Sequence, residues 1–217
     1  AIIDAILSGE DRPLPEVIPA PGLRLATTHS LVRDGMDAHV NATFIRTLGR
    51  LRDAGVVIDE IEIPEFLELA HINRKGGLVC AEAYAVHRDE LAAREAEYDP
   101  RVASRILRGR NIDCADYIEL HAERSRWQMA VEARLHGYDA LLLPTVPIVA
   151  PTIAELEASD DAYFAANALI LRNPTLINFL DGCALSLPCH AAGEAPVGLM
   201  VAGPAFSDER VLQTGRS

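Results

Sequence analysis

Tyr138-Asp139-Ala140-Leu141-Leu142-Leu143-Pro144-Thr145-Val146-Pro147-Ile148-Val149-Ala150-Pro151 decides the fold. Its apolar core, Asp139 to Leu143, shows no polar alternation and stops at a proline, which predicts a fully buried strand. Two more such segments follow at Cys183–Leu187, closed by Pro188, and at Pro196–Ala202, closed by Gly203. Apolar strands bounded by Pro or Gly bring backbone to the rim of a pocket in α/β enzymes. Helices over Asp160–Leu171 and about Pro174–Leu180 are predicted between them. Ser207-Asp208-Glu209 reads as an N-cap followed by two acids at a helix's positive end.

Upstream, the pattern alternates. Leu23–Thr28 reads as a short strand. Asp37–Ala54 reads as a helix, because Val40, Phe44, Leu48 and Leu51 recur at helical spacing and Gly55 stands in the C′ position. Val56–Ile63 reads as a strand whose second half alternates apolar and acidic residues, so one face is buried and the other wet. Strand, helix and strand with tight connections predict a parallel, right-handed βαβ unit. Phe66–Glu97 reads as mostly helical with a kink or close-packing point at Gly76-Gly77. Asp99-Pro100 opens a short helix. Asp113–Gly137 is a long one with an apolar stripe of Tyr117, Leu120, Trp127, Val131 and Leu135. The fold class expected is α/β, a mixed, largely parallel sheet flanked by helices. Residues 1–22 read as the end of a preceding helix and a linker broken by Pro13, Pro15, Pro19 and Pro21. Residues 23–217 read as one domain.

Composition bounds the function. The 217 residues are 49% hydrophobic and 24% charged, the balance of a soluble globular protein. The net charge of −12 repels a phosphate backbone, so no nucleic-acid partner is expected. The apolar run Ala140–Ala150 is interrupted by Pro144 and Pro147 and is too short to span a bilayer, so no membrane association is expected. Cys80, Cys114, Cys183 and Cys189 have no Cys-x-x-Cys spacing, and buried free thiols in a cytoplasmic protein are the simplest reading. The chain starts at Ala1, partway through an apolar helical pattern and without a basic leader, which reads as a cut from something longer.

Nucleophile elbow, phosphate loop, dinucleotide fingerprint and zinc-type motifs are all missing from the sequence. Neither a metal nor a cofactor is expected. Cys189-His190 is the nearest approach to a nucleophile and base, but neighbours on an extended segment point to opposite faces. Ser186, between Leu185 and Leu187, reads as a hydroxyl bonded to nearby backbone. Lys75, the only lysine, is flanked by Arg74 and followed by Gly-Gly, and reads as a solvated helix residue rather than the base of a Ser–Lys dyad.

From Leu23 onward the chain resembles the C-terminal half of amidase signature enzymes. The resemblance is carried by several elements in order. Leu23-Arg24-Leu25-Ala26 and Leu51 to Pro64 bound the strand–helix–strand. Asp139 to Thr145 with Ala150-Pro151 follows. The terminal elements are Asn178, Gly182, Leu187-Pro188, Pro196-Val197-Gly198-Leu199 and Asp208. The sequence departs from that pattern at Ala184, where Pro is usual, and at His190, where Gly is common. The resemblance implies hydrolysis of carboxamide C–N bonds by a Ser–Ser–Lys triad. Its serines sit in a Gly/Ser-rich loop that also supplies the oxyanion hole. No such loop lies in these residues, so no catalytic residue is assigned, and 23–217 is expected to be an incomplete domain, inactive alone. The resemblance places the Pro144-Thr145 turn at the substrate pocket and lets Asn178 position a loop there; both residues also read as structural. The expected partner of the whole protein is a small-molecule amide substrate. Self-association through an exposed sheet edge or apolar face is expected of the chain itself. Two other readings stay open: a non-catalytic α/β binding or scaffold module, and a different α/β hydrolase with its site at the strand ends.

Overall fold

A computed structural model describes Gly9 and residues 15–217. The helix end expected over residues 1–9 lies outside the described residues apart from Gly9. The chain divides into two compact units, Ala1–Ile63 with Glu132–Ser217, and Pro64–Val131.

The first unit is built on a five-stranded sheet in the order β2-β1-β3-β5-β4. The strands are β1 (Arg24–Thr27), β2 (Val57–Glu60), β3 (Ala140–Pro144), β4 (Cys183–Pro188) and β5 (Gly198–Gly203). β2, β1 and β3 run parallel. β5 is antiparallel to both β3 and β4, so the sheet is mixed, as the sequence predicts. Between β1 and β2 lies α1 (Ala38–Asp53). Its start is fixed by Asp37, whose side chain accepts from Val40 N, and its end by Gly55 at φ 91°. Leu25, Phe44, Leu48, Leu142, Leu199 and Val201 form the core of this unit, joined by Val211 of α8 (Asp208–Arg216). Ser207 occupies the N-cap of α8 but makes no side-chain cap bond, so the expected cap is one of position only.

β3 is buried along its whole length. β4 is not the buried strand that its apolar sequence predicts. Cys183, Leu185 and Leu187 pack on the core, while Ala184, Ser186 and Pro188 are exposed. β4 is the last strand of the sheet, and only its alternate residues are packed on the core of the unit. The helix break expected near Pro174 is also absent, because α7 runs unbroken from Asp160 to Leu180. A proline inside a helix removes one backbone bond. Here Arg172 and Asn173, just before it, anchor that stretch of helix by side-chain bonds to Val32 O and Pro144 O. A five-residue helix, α6 (Ile153–Glu157), precedes α7 and opens with a reciprocal capping box between Thr152 and Glu155.

The second unit holds α2 (Glu65–Ile72), α3 (Gly77–Arg94), α4 (Pro100–Leu107) and most of α5 (Cys114–Leu135), which runs on into the first unit. Gly76 and Gly77 do more than kink a helix. Both have positive φ, 119° and 68°, and the chain breaks there into α2 and α3. Trp127 of α5 is fully buried, stacks on Phe66 at 5.9 Å and donates its indole N–H to Glu65 O at 2.6 Å. Among the described residues no helix is long and apolar enough to cross a membrane.

Candidate functional site

The C-terminal end of β3 is where backbone and polar side chains converge. β1 hands the chain to β2 on one side of the sheet, and β3 lies on the other side, which creates a topological switch between β1 and β3. Crevices at such points are the usual ligand sites of open α/β sheets. Pro144 ends β3, and Thr145 N donates to Gly198 O at 2.9 Å. The Thr145 and Ser186 hydroxyls lie 2.6 Å apart and share a hydrogen bond. Gly198 makes that contact possible, since a Cβ there would stand 2.6 Å from Ser186 Oγ and 2.7 Å from Thr145 Oγ1. Ser186 therefore bonds a side chain two strands away rather than the neighbouring backbone expected of it.

The segment after Thr145 is tied down by Asp37. Asp37 N donates to Pro147 O at 3.0 Å, while its second carboxylate oxygen accepts from Val149 N at 2.7 Å. The first oxygen caps α1, so one side chain fixes both helix and loop. On the other side, Asn173 is fully buried and its amide donates to Pro144 O at 2.8 Å and to Val32 O at 3.3 Å. Arg172 donates to Val32 O and Asp34 O, and burial holds its guanidinium below the usual arginine value.

Of the two pocket residues expected from the resemblance, Thr145 lies in this cluster, and Asn178 lies near the C-terminal end of α7. Asn178 is exposed in the last turn of α7, where its carbonyl accepts from Asp181 N. The α7 residue that reaches the β3 end is Asn173, which sequence reading misses. Its one available signal is a polar residue inside an otherwise apolar run just before a proline.

The alternative nucleophiles have other roles. Cys189 Sγ donates to Val197 O, and His190 Nδ1 accepts from Val197 N, so both hold the β4–β5 connection rather than each other. Burial raises the Cys189 thiol above its usual range, the opposite of what an activated thiolate needs. Glu194 shapes the same loop by accepting from Ala191 N at 2.8 Å and pairing with Arg46 at 2.6 Å. Lys75, in the second unit, donates to both carboxylate oxygens of Asp116 at 2.6 and 2.7 Å, and this bond draws Asp116 below the usual carboxylate range. A cavity of about 400 Å³ opens at the opposite end of β3, beside Tyr138, Asp139 and Arg210. Asp139 already accepts from Arg24 N and pairs with Arg210, so its charge is satisfied within the protein.

A mixed sheet flanked by helices, with hydroxyls at the end of a central strand and a buried amide behind it, defines an α/β scaffold. The chain belongs to the amidase family, whose model, described as Amidase, matches residues 14–212. It is 27% identical over 201 residues to the 2-amino-5-chloromuconic acid deaminase of Comamonas testosteroni, covering 92% of this chain and 43% of that protein. It is 28% identical over 237 residues to the indoleacetamide hydrolase of Rhizobium radiobacter, covering 99% of this chain and 50% of that enzyme. A crystal structure of an amidase superposes with a TM-score of 0.78 at 27% identity, over 99% of this chain and 48% of that one. The chain thus spans about half the length of the relatives it matches.

Proposed function

We propose that this chain is the C-terminal, sheet-bearing part of an amidase that hydrolyses the carboxamide C–N bond of a small molecule. In this reading the serine nucleophile, the bridging serine and the lysine base lie on polypeptide outside these residues. The carrying observation is the state of the sole lysine. A lysine base must reach a serine hydroxyl to take its proton. Lys75 instead gives two hydrogen bonds to Asp116. Among the described residues the Thr145 and Ser186 hydroxyls bond each other rather than a histidine, lysine or carboxylate, which supports a positioning role over a nucleophilic one. What the strand end offers is positioning. Two hydroxyls, each able to donate and accept, can orient the carbonyl and amide groups of a substrate.

The test is amide hydrolysis by the longest polypeptide encoded in frame with this sequence, with and without Lys75→Gln. Hydrolysis of a primary carboxamide is expected, and Lys75→Gln is expected to leave kcat within about twofold. Loss of turnover by about a thousandfold in Lys75→Gln would make this lysine the base and overturn the assignment.

A further inference from the structure

The second unit holds a cavity of about 380 Å³ between α3, the turn Arg108–Asn111 and the start of α5. That volume falls in the range of small-molecule sites, roughly 300–1,000 Å³. Close packing fixes its walls. A Cβ at Gly109 would stand 2.0 Å from Cys80 O and 2.7 Å from Tyr84 Cβ, so the turn lies flush against α3. Tyr84 packs on the cluster of Leu91, Ala103 and Ile106, and the Tyr117 ring meets that of His121 edge-on at 4.7 Å.

Tyr84 and Tyr117 line this cavity together with two cations, Arg88 and Arg110, and two acids, Glu82 and Asp113. The formal charges cancel, yet among the described residues none of these four pairs with another. Each acid is tethered elsewhere. Glu82 accepts from the Tyr117 hydroxyl at 3.4 Å, and Asp113 accepts from Asp116 N at 2.8 Å in the first turn of α5. Arg88 meets only its chain neighbour Asp89, at 3.7 Å, where both side chains are largely exposed. A contact of that kind holds little. Arg110 makes no hydrogen bond or ion pair among the described residues. The cavity thus presents both signs of charge without neutralising them.

We propose that this cavity binds a small zwitterion with an aromatic body, an aromatic α-amino acid. The ligand's carboxylate takes the guanidinium groups of Arg88 and Arg110, whose forked donors suit it. Its ammonium takes Glu82 and Asp113, since an ionised carboxylate keeps acceptor positions beyond the one bond that each makes here. Tyr84 and Tyr117 pack on its ring. A simple anion would meet the two acids, and a simple cation the two arginines, so a ligand that carries both charges is the one that fits. Binding here involves no hydrolytic step and is independent of the amidase reading.

Calorimetric titration of the longest in-frame polypeptide with L-phenylalanine, L-phenylalaninol and 3-phenylpropionate tests this. Phenylalaninol lacks the carboxylate, 3-phenylpropionate lacks the ammonium, and neither has an amide to hydrolyse. Saturable binding of phenylalanine is expected, at least about tenfold tighter than that of either analogue. Arg88→Gln with Arg110→Gln is expected to lower phenylalanine to the affinity of phenylalaninol. Glu82→Gln with Asp113→Asn keeps acceptors for Tyr117 and Asp116 N, and is expected to lower phenylalanine to the affinity of 3-phenylpropionate. Equal affinities for the three compounds in the unmodified protein overturn the proposal, as does no phenylalanine binding at about 10 mM. Phenylalanine binding that is unchanged in both double variants also overturns it, because the ligand then sits elsewhere.

Discussion

Asn173 shows how much one buried amide can hold. Its Nδ2 bonds two carbonyls distant in sequence, that of Pro144 at the end of β3 and that of Val32 within the β1–α1 connection. Val32 O keeps a second donor in Arg172, whereas Pro144 O accepts from the Asn173 amide. Asn173→Ala leaves a carbonyl without its partner, and about 1–3 kcal/mol of destabilisation is expected in urea unfolding. An effect below about 0.5 kcal/mol would mean that water or a neighbour replaces the amide. Gly198 makes the opposite point, since its lack of a side chain lets Thr145 and Ser186 meet. Gly198→Ala should break that hydroxyl pair at a cost of about 1 kcal/mol or less, because both hydroxyls are exposed and can rotate to water. In the longer polypeptide the same substitution should raise KM more than it lowers kcat, if the pair orients substrate; a pure loss of kcat would count against that role. The turn at Thr145 has a local signal, a buried apolar run closed by a proline. The contacts of Asn173 and Gly198 reach across the fold and leave no local pattern in the sequence.

The elements were read more reliably than their ends. β1, α1, β2 and β3 have strong periodic or apolar signals and stand within a few residues of expectation. β4 looked like β3 in sequence, yet alternates between half-buried and exposed residues, since an apolar run does not say whether a strand is central or at an edge. Pro174 looked like a helix end, and tertiary bonds from Arg172 and Asn173 overrode the local signal. The β4–β5 connection is held by Glu194. The Ala191 N–H and then Arg46 favour its charged form, so its carboxyl lies below the usual range. A depressed carboxylate stabilises the fold above its unfolded pKa of about 4.3, and that contribution is lost as pH falls through the lower folded value. The Ala191 amide should therefore report an NMR titration midpoint below about 4.3, absent in Glu194→Gln. A midpoint at or above that value would contradict the hydrogen-bonded loop.

At the scale of the molecule, two compact units carry the described residues, and the sheet unit holds the candidate site. Its central strand is buried and its candidate site is braced by Asp37 and Asn173. Its titratable groups near the site serve structure: Cys189 and His190 hold Val197, and Glu194 holds its own loop. Family membership rests on a match across nearly the whole chain, while the relatives extend to about twice the shared length. The proposed function divides the labour: in it, this polypeptide forms one wall of an amidase site, and the groups that break the bond come from elsewhere. The most direct measurement is ammonia release from primary carboxamides by the purified 217-residue chain alone. No release above the uncatalysed rate is expected. Saturable turnover that is lost in Ser186→Ala would show that this chain carries its own nucleophile and would contradict that division.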